Sequence, residues 1–380
     1  MYYFDNSATT QPLEEVLTTY QKAAERYFAN PSSAHRLGEE AKALLNQARQ
    51  QIADILAFKE DEIYFTASGS EANNWFLRAV VPALKERRSK NQAKVLISAI
   101  EHPSMLRQLD ILSNFACQFE LIPVDDQGQI DLIALEEALK DEHVLAVSTM
   151  AVNNEVGSRQ PLTKIGQILN KYPQIIWHVD AVQAVTACLN DLHHPRIDCL
   201  SLSSHKFYAV RGVGIFAKRQ RVASQPMIYG GGQERSLRSG TENLAGIVAT
   251  AKALRLAAER QHQTQAKLSN FRQQIIEQFE TCGWHVFAKE QASPHIICAA
   301  LPPIPGEVLL HAFEQADIFI STTSACSSRQ HRAHASLTAM GVPAEISNSA
   351  VRLSMSQYTT EDELNYVLGQ IPKISQAFQA

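Results

Sequence analysis

Two hydrophobic periods alternate along this chain. Leu37, Ala41, Leu44, Ala48, Ile52 and Ile55 or Leu56 recur at three- and four-residue steps, the spacing that lines one face of an amphipathic helix. Apolar runs at 63–65, 95–100, 119–124, 144–147, 175–179, 199–202 and 213–217 are too short for helices and lie helix-sized intervals apart, so they predict buried strands. Such alternation predicts an α/β layered domain around a mostly parallel sheet. Over 243–280 the pattern becomes one long helix rich in Ala, Leu and Gln, broken near Cys282-Gly283. Beyond it, strands at 295–301, 318–321 and 350–355 and helices at 307–315 and 360–368 predict a smaller α+β unit. The domain boundary is therefore expected inside the long helix. A large domain would span 1–250, with its opening segment packed on the small one, and a small domain would span 251–380.

A length of 380 residues, 45% of them hydrophobic and 19% charged, gives material for about two cores. The net charge of −4 and the lack of a long Lys/Arg block argue against a dedicated nucleic-acid or anionic-membrane binder. The start, Met1-Tyr2-Tyr3-Phe4, has no basic region leading into an apolar stretch, and no run reaches the length of a membrane span. A cytoplasmic location is the resulting expectation. Cys117, Cys188, Cys199, Cys282, Cys298 and Cys326 show no CxxC spacing, so reduced thiols are expected, with neither a disulfide framework nor a metal site.

The candidate chemistry begins with two residues at strand ends. Asp180 closes the run 175–179, and Lys206 follows the run 199–202 in Ser203-Ser204-His205-Lys206. Pyridoxal 5'-phosphate needs a lysine amine to hold it as a Schiff base and a carboxylate to keep its pyridine nitrogen protonated. Asp180 and Lys206 suit those tasks, although an Asp at a helix start and a solvated Lys would read the same way in isolation. Ligands in open α/β sheets collect outside the carboxyl ends of strands, where other polar clusters also fall. Thr66-Ala67-Ser68-Gly69-Ser70-Glu71 follows a strand and opens a helix, so the amides at Gly69 and the Ser70 hydroxyl suit a phosphate, though the run also reads as an N-cap. Ser203 and His205 would add donors from the far side. His102, in Glu101-His102-Pro103-Ser104, could stack on a planar ring and shuttle protons. Gln183 and Asn154 stand where they could reach the cofactor's phenolic oxygen.

Cys326 differs from the other cysteines because its neighbours are small and polar, in Ser324-Ala325-Cys326-Ser327-Ser328, which reads as a mobile loop. Arg329, His331 and Arg332 nearby favour the thiolate, the form that attacks. Arg352 lies in Val351-Arg352-Leu353-Ser354-Met355, where alternation sets it opposite the apolar face. A guanidinium held on a strand suits bidentate capture of a carboxylate, and an exposed edge-strand Arg fits the same pattern.

Taken together, Asp5-Asn6-Ser7-Ala8-Thr9-Thr10, Asn30-Pro31-Ser32-Ser33, Glu101-His102-Pro103, Val152-Asn153-Asn154-Glu155, His178-Val179-Asp180-Ala181-Val182-Gln183, Ser204-His205-Lys206, Gly230-Gly231-Gly232-Gln233-Glu234, Arg238-Ser239-Gly240-Thr241 and Ser324-Ala325-Cys326-Ser327-Ser328 resemble the cysteine desulfurases of the NifS/IscS type. The motifs keep the family's order over nearly the whole chain. The resemblance implies a fold-type I, class V aminotransferase-like homodimer dependent on pyridoxal phosphate. It assigns the cofactor-bound lysine to Lys206 and ring stacking to His102. Asp180, Gln183 and Asn154 would hold the ring nitrogen and 3-hydroxyl. Phosphate contacts would come from Gly69, Ser70, Ser203 and His205, with Thr241 reaching in from the other subunit. Asn30 and Arg352 would grip the substrate carboxylate.

The activity implied is removal of sulfur from L-cysteine, with Cys326 taking it as a persulfide and alanine leaving. The sulfur then passes to an acceptor such as an iron-sulfur scaffold or a tRNA-thiolating enzyme. The Ser-Ala-Cys-Ser-Ser motif points to the group with a long mobile cysteine loop. Two departures stand out: Ser70 replaces the family's usual threonine, and Ala209-Val210-Arg211-Gly212 replaces its usual Gly-Pro-Lys-Gly. A selenocysteine lyase, another class V pyridoxal enzyme and a non-catalytic sulfur-carrier scaffold remain alternatives.

Overall fold

The computed structural model describes residues 1–88, 92–322 and 335–378. Its strands, in chain order, are β1 (Tyr2–Tyr3), β2 (Ile63–Thr66), β3 (Ala93–Ser98), β4 (Cys117–Ile122), β5 (Val144–Met150), β6 (Ile176–Asp180), β7 (Cys199–Ser203) and β8 (Gly214–Lys218). They continue with β9 (His285–Phe287), β10 (Ile296–Ala300), β11 (Ile318–Phe319), β12 (Ser321–Thr322) and β13 (Ala350–Ser354). Seven of these form the main sheet in the order β2-β8-β7-β6-β5-β3-β4. β8 runs antiparallel to β2 and β7, and the remaining pairings are parallel. This is the mostly parallel α/β sheet expected of a fold-type I enzyme.

The centre of the sheet is buried on both faces, which explains why β5, β6 and β7 read as continuous apolar runs. Ser148, Thr149, His178, Asp180 and Ser201 are buried there with hydrogen-bond partners. His178 bonds Ser148 Oγ at 2.8 Å through Nδ1 and Ser201 Oγ at 2.9 Å through Nε2, so three neighbouring strands share one hydrogen-bonded row. β5 extends to Met150, beyond the expected 144–147, because Ser148 and Thr149 lie inside too. β4 is one edge of the sheet and begins at Cys117, earlier than expected, because the exposed polar Gln118 interrupts the apolar pattern ahead of Phe119. The helix Arg36–Leu56 forms as its apolar stripe predicts and stops at Ala57, which takes a left-handed φ of 56°.

The 38-residue helix Leu244–Thr281 leads to a second sheet, antiparallel, in the order β12-β13-β10-β9. The expected strand over 318–321 splits in two: β12 joins this sheet, whereas β11 pairs with β1 from the N-terminus. Phe4 packs in the same core as Phe279, Trp284, Phe313 and Leu353. The helices Gly306–Gln315 and Glu361–Gln376 also contribute to that core through Leu309, Phe313, Leu364 and Val367.

Candidate functional site

A cavity of about 310 Å³ opens where β5, β6 and β7 end, and the N-terminal segment and β13 close it from the other side. Asp180, the last residue of β6, is buried there, with Oδ1 accepting the Val182 N–H at 3.0 Å and Oδ2 accepting Asn73 Nδ2 at 2.7 Å. Lys206 ends a single 3₁₀ turn that follows β7. Its Nζ donates to the carbonyls of Ser7 and Ala8, the latter at 2.8 Å. Gln183 Nε2 donates to the same Ser7 carbonyl at 2.9 Å. A backbone turn near residue 7 therefore forms a wall for side chains almost 200 positions later.

His102 follows β3. Its Nδ1 accepts the Ser104 N–H at 3.1 Å and lies 2.7 Å from Ser104 Oγ. Burial lowers its pKa; Asp180 opposes that shift, and Lys206 and Arg107 add to it. His205 is lowered to about 4 by burial, with Lys206 and Arg211 contributing, and its Nδ1 meets Thr9 Oγ1 at 3.1 Å. Glu101, fully inside, is pushed well above the usual carboxyl range by burial and by Asp180.

The turn after β2 serves two purposes. Ser68 caps the helix Gly69–Trp75 by accepting the Glu71 N–H at 3.1 Å, so the ordinary capping reading holds. The helix start also faces the cavity through Gly69 and Ser70. A Cβ on Gly69 would lie 2.8 Å from Val182 Cγ2 and 3.1 Å from Ser203 Cβ, so only glycine lets this turn close against β7. First-turn amides of a helix lack intrahelical partners and favour an anion.

Arg352, on β13, donates from Nη1 to the Asn154 carbonyl and from Nη2 to Asp5 Oδ1, both at 2.8 Å. Its Nε is buried and has no partner among the described residues. A fixed fork with an unused donor is suited to a carboxylate.

Of the residues singled out in the sequence, the structure brings Gly69, Ser70, His102, Asn154, Asp180, Gln183, Ser203, His205, Lys206 and Arg352 around this one cavity. Asn30 is not among them: it sits in an exposed turn, where Oδ1 accepts the Ser32 N–H at 2.9 Å. Thr241 is exposed and outside the same chain's cavity. Cys326, with Arg329, His331 and Arg332, lies outside the described residues. The sequence reading gave no role to Asn73, Ser104 or Glu155, although all three line the cavity. Asn73 had a readable signal, because it lies four residues after Gly69 and so on the same helix face.

The donor set fits pyridoxal phosphate. A glycine-lined helix start, a buried carboxylate, a neutral imidazole and an amine meet in one enclosure, and the cavity size suits a small ligand.

The sequence matches the family described as Aminotransferase class-V over residues 2–367. A NifS/IcsS protein homolog of Lactobacillus delbrueckii subsp. bulgaricus is 40% identical, covering 100% of this chain and 98% of that protein. The cysteine desulfurase IscS of Clostridium botulinum is 36% identical, covering 98% of this chain and 94% of its own. A solved NifS-like protein superposes with a TM-score of 0.91 at 34% identity, covering 100% of both chains.

Proposed function

Since the chain belongs to the class-V aminotransferase family, we infer that it is a pyridoxal-phosphate-dependent cysteine desulfurase acting on L-cysteine. The observation that carries this reading is the meeting of Lys206, Asp180, His102 and Arg352 around one cavity. Gly69, Ser70, Ser203 and His205 would hold the cofactor's phosphate, Asp180 its ring nitrogen, and Gln183 and Asn154 its 3-hydroxyl. When bound, the cofactor supplies an electron-withdrawing ring that weakens bonds at the substrate's α- and β-carbons.

The remaining steps belong to the chain's own residues. Arg352 takes the substrate carboxylate on its unused Nε edge, already oriented by Asp5 and Asn154. That contact fixes which bond at the α-carbon faces Lys206. The Lys206 amine, held by the Ser7 and Ala8 carbonyls, is the base that removes the α-proton. The Cys326 thiolate then attacks the substrate sulfur: an S–S bond forms as the C–S bond breaks, and the electron pair stays on carbon. That carbon takes up a proton, and Lys206 returns the proton it removed to the α-carbon, which completes L-alanine. The persulfide on Cys326 passes its outer sulfur to an acceptor, an iron-sulfur scaffold or a tRNA-thiolating enzyme. In this reading the protein is a cytoplasmic homodimer in which Thr241 serves the neighbouring protomer's phosphate site. No helix among the described residues is long and apolar enough to cross a membrane.

The test is direct. Purified protein given L-cysteine and a reductant should release alanine and sulfide in equal amounts, and Cys326→Ala should abolish both. Full activity in that variant would remove Cys326 from the reaction. Turnover of L-selenocysteine but not L-cysteine would favour the lyase reading instead.

A further inference from the structure

Asp180 ends β6 and His102 lies in the loop after β3, yet one buried side chain bonds Asp180 directly and His102's partner Ser104. Asn73 has an amide nitrogen with two hydrogens. One goes to Asp180 Oδ2 at 2.7 Å and the other to Ser104 Oγ at 2.9 Å. The amide can face only this way, because its oxygen turned toward a carboxylate would set two acceptors against each other. Its Oδ1 is left buried with no partner among the described residues, so the two acceptors fix the orientation and the oxygen does not.

The polarity then propagates. Ser104 Oγ accepts from Asn73, so its single proton is available to His102 Nδ1, 2.7 Å away. The Ser104 backbone N–H points at the same ring nitrogen from 3.1 Å. Two donors on Nδ1 leave no room for a proton there. The ring's proton must sit on Nε2.

We propose that Asn73 is a positioning residue that ties the Asp180 carboxylate to His102 through Ser104 and holds the imidazole in its Nε2–H form, so that the cavity meets a neutral hydrogen-bond donor rather than a base. Burial acts in the same direction, because it disfavours the charged ring; Asp180 opposes this, and Lys206 and Arg107 reinforce it. His102 can share its Nε2 proton with an atom in the cavity without gaining charge. The task of base is left to Lys206.

The experiment is ¹⁵N NMR of histidine-labelled full-length protein, with and without its cofactor, using His102→Gln to assign the signal. At neutral pH, Nδ1 should give the signal of an unprotonated ring nitrogen and Nε2 that of a protonated one. A ring protonated at Nδ1 overturns the proposal, and this wild-type result decides it even if no variant folds. Asn73→Leu removes both amide donors, so the Ser104 hydroxyl is released from its fixed orientation and the Nδ1 signal should move from its wild-type position toward the protonated form, with the Ser104 backbone N–H limiting the shift. In that variant kcat should fall roughly tenfold, the size of one lost hydrogen bond to a charged group, while KM for L-cysteine stays nearly constant. In a Ser104→Ala background the same substitution should shift the ring signal far less. An undiminished shift would overturn the route through Ser104. The inference rests on the proposed reaction only for the kinetic readout. The expected spectrum in protein that does not turn over L-cysteine would therefore support it while sinking the function.

Discussion

At the residue scale, the site is built from groups whose orientation is set by neighbouring side chains and backbone carbonyls. Arg352 shows this most plainly. Asp5 and the Asn154 carbonyl each occupy one of its terminal nitrogens, and Nε is buried without a partner among the described residues. Burying such a donor is unfavourable by about 1–3 kcal/mol unless a ligand satisfies it. Replacing the fork by an ammonium removes the bidentate geometry while keeping the charge. Arg352→Lys should therefore raise KM for L-cysteine about tenfold or more, with a smaller change in kcat. Steady-state kinetics checks this, and an unchanged KM would remove Arg352 from carboxylate binding. The alternation Val351-Arg352-Leu353 made this residue readable from the sequence. Asn30 came from the family motif and not from alternation; its side chain accepts the Ser32 N–H in an exposed turn outside the cavity lining.

At the element scale, apolar runs and helical stripes located most strands and helices, because burial on both sheet faces leaves an unbroken hydrophobic signature. The signature fails where burial changes. β4 starts ahead of its apolar run because the exposed polar Gln118 interrupts the pattern on this edge strand, and β5 is longer than its apolar run because Ser148 and Thr149 are polar yet inside. The turn at Gly69 predicts both an N-cap and an anion site; the capping reading holds through Ser68, and Gly69 lines the cavity. The reason for the glycine was not legible. Gly69 is needed for a close approach of helix start to β7, which brings Val182 and Ser203 against it. Gly69→Ala must displace a branched side chain, a misfit that costs about 1–3 kcal/mol in a packed region. The variant should fold with a lowered Tm and hold the cofactor more weakly. A thermal melt and a titration of stripped protein with pyridoxal phosphate measure the two effects. Unaltered affinity would mean that this turn does not set the phosphate site.

At the scale of the whole molecule, local patterns stop informing. β8 enters the sheet antiparallel between β2 and β7, and β1 leaves the N-terminus to pair with β11, pairings that nothing nearby in the sequence dictates. They bring Ser7 to Lys206 and Asp5 to Arg352. The same enclosure removes several histidines from water, which makes stability depend on pH. His178 lies wholly inside, stacked on Phe76 and bonded to two serines, and burial lowers its pKa to about 3 from the ordinary 6.5. The unfolded chain binds a proton below pH 6.5 that the folded chain refuses, so stability present above that pH is lost as pH falls toward 3. His295, at about 3, and His205, at about 4, act with the same sign. Glu101 acts with the opposite sign, because its raised carboxyl holds a proton that the unfolded chain releases above 4.5. Absolute slopes therefore mix several groups, but a difference isolates one. His178→Asn should reduce the slope of unfolding free energy against pH by about 1.4 kcal/mol per unit between about pH 4 and pH 6. Urea titrations across that window read the slope independently of any constant loss from the substitution itself. Parallel slopes for the two proteins would mean that His178 already carries its proton when folded.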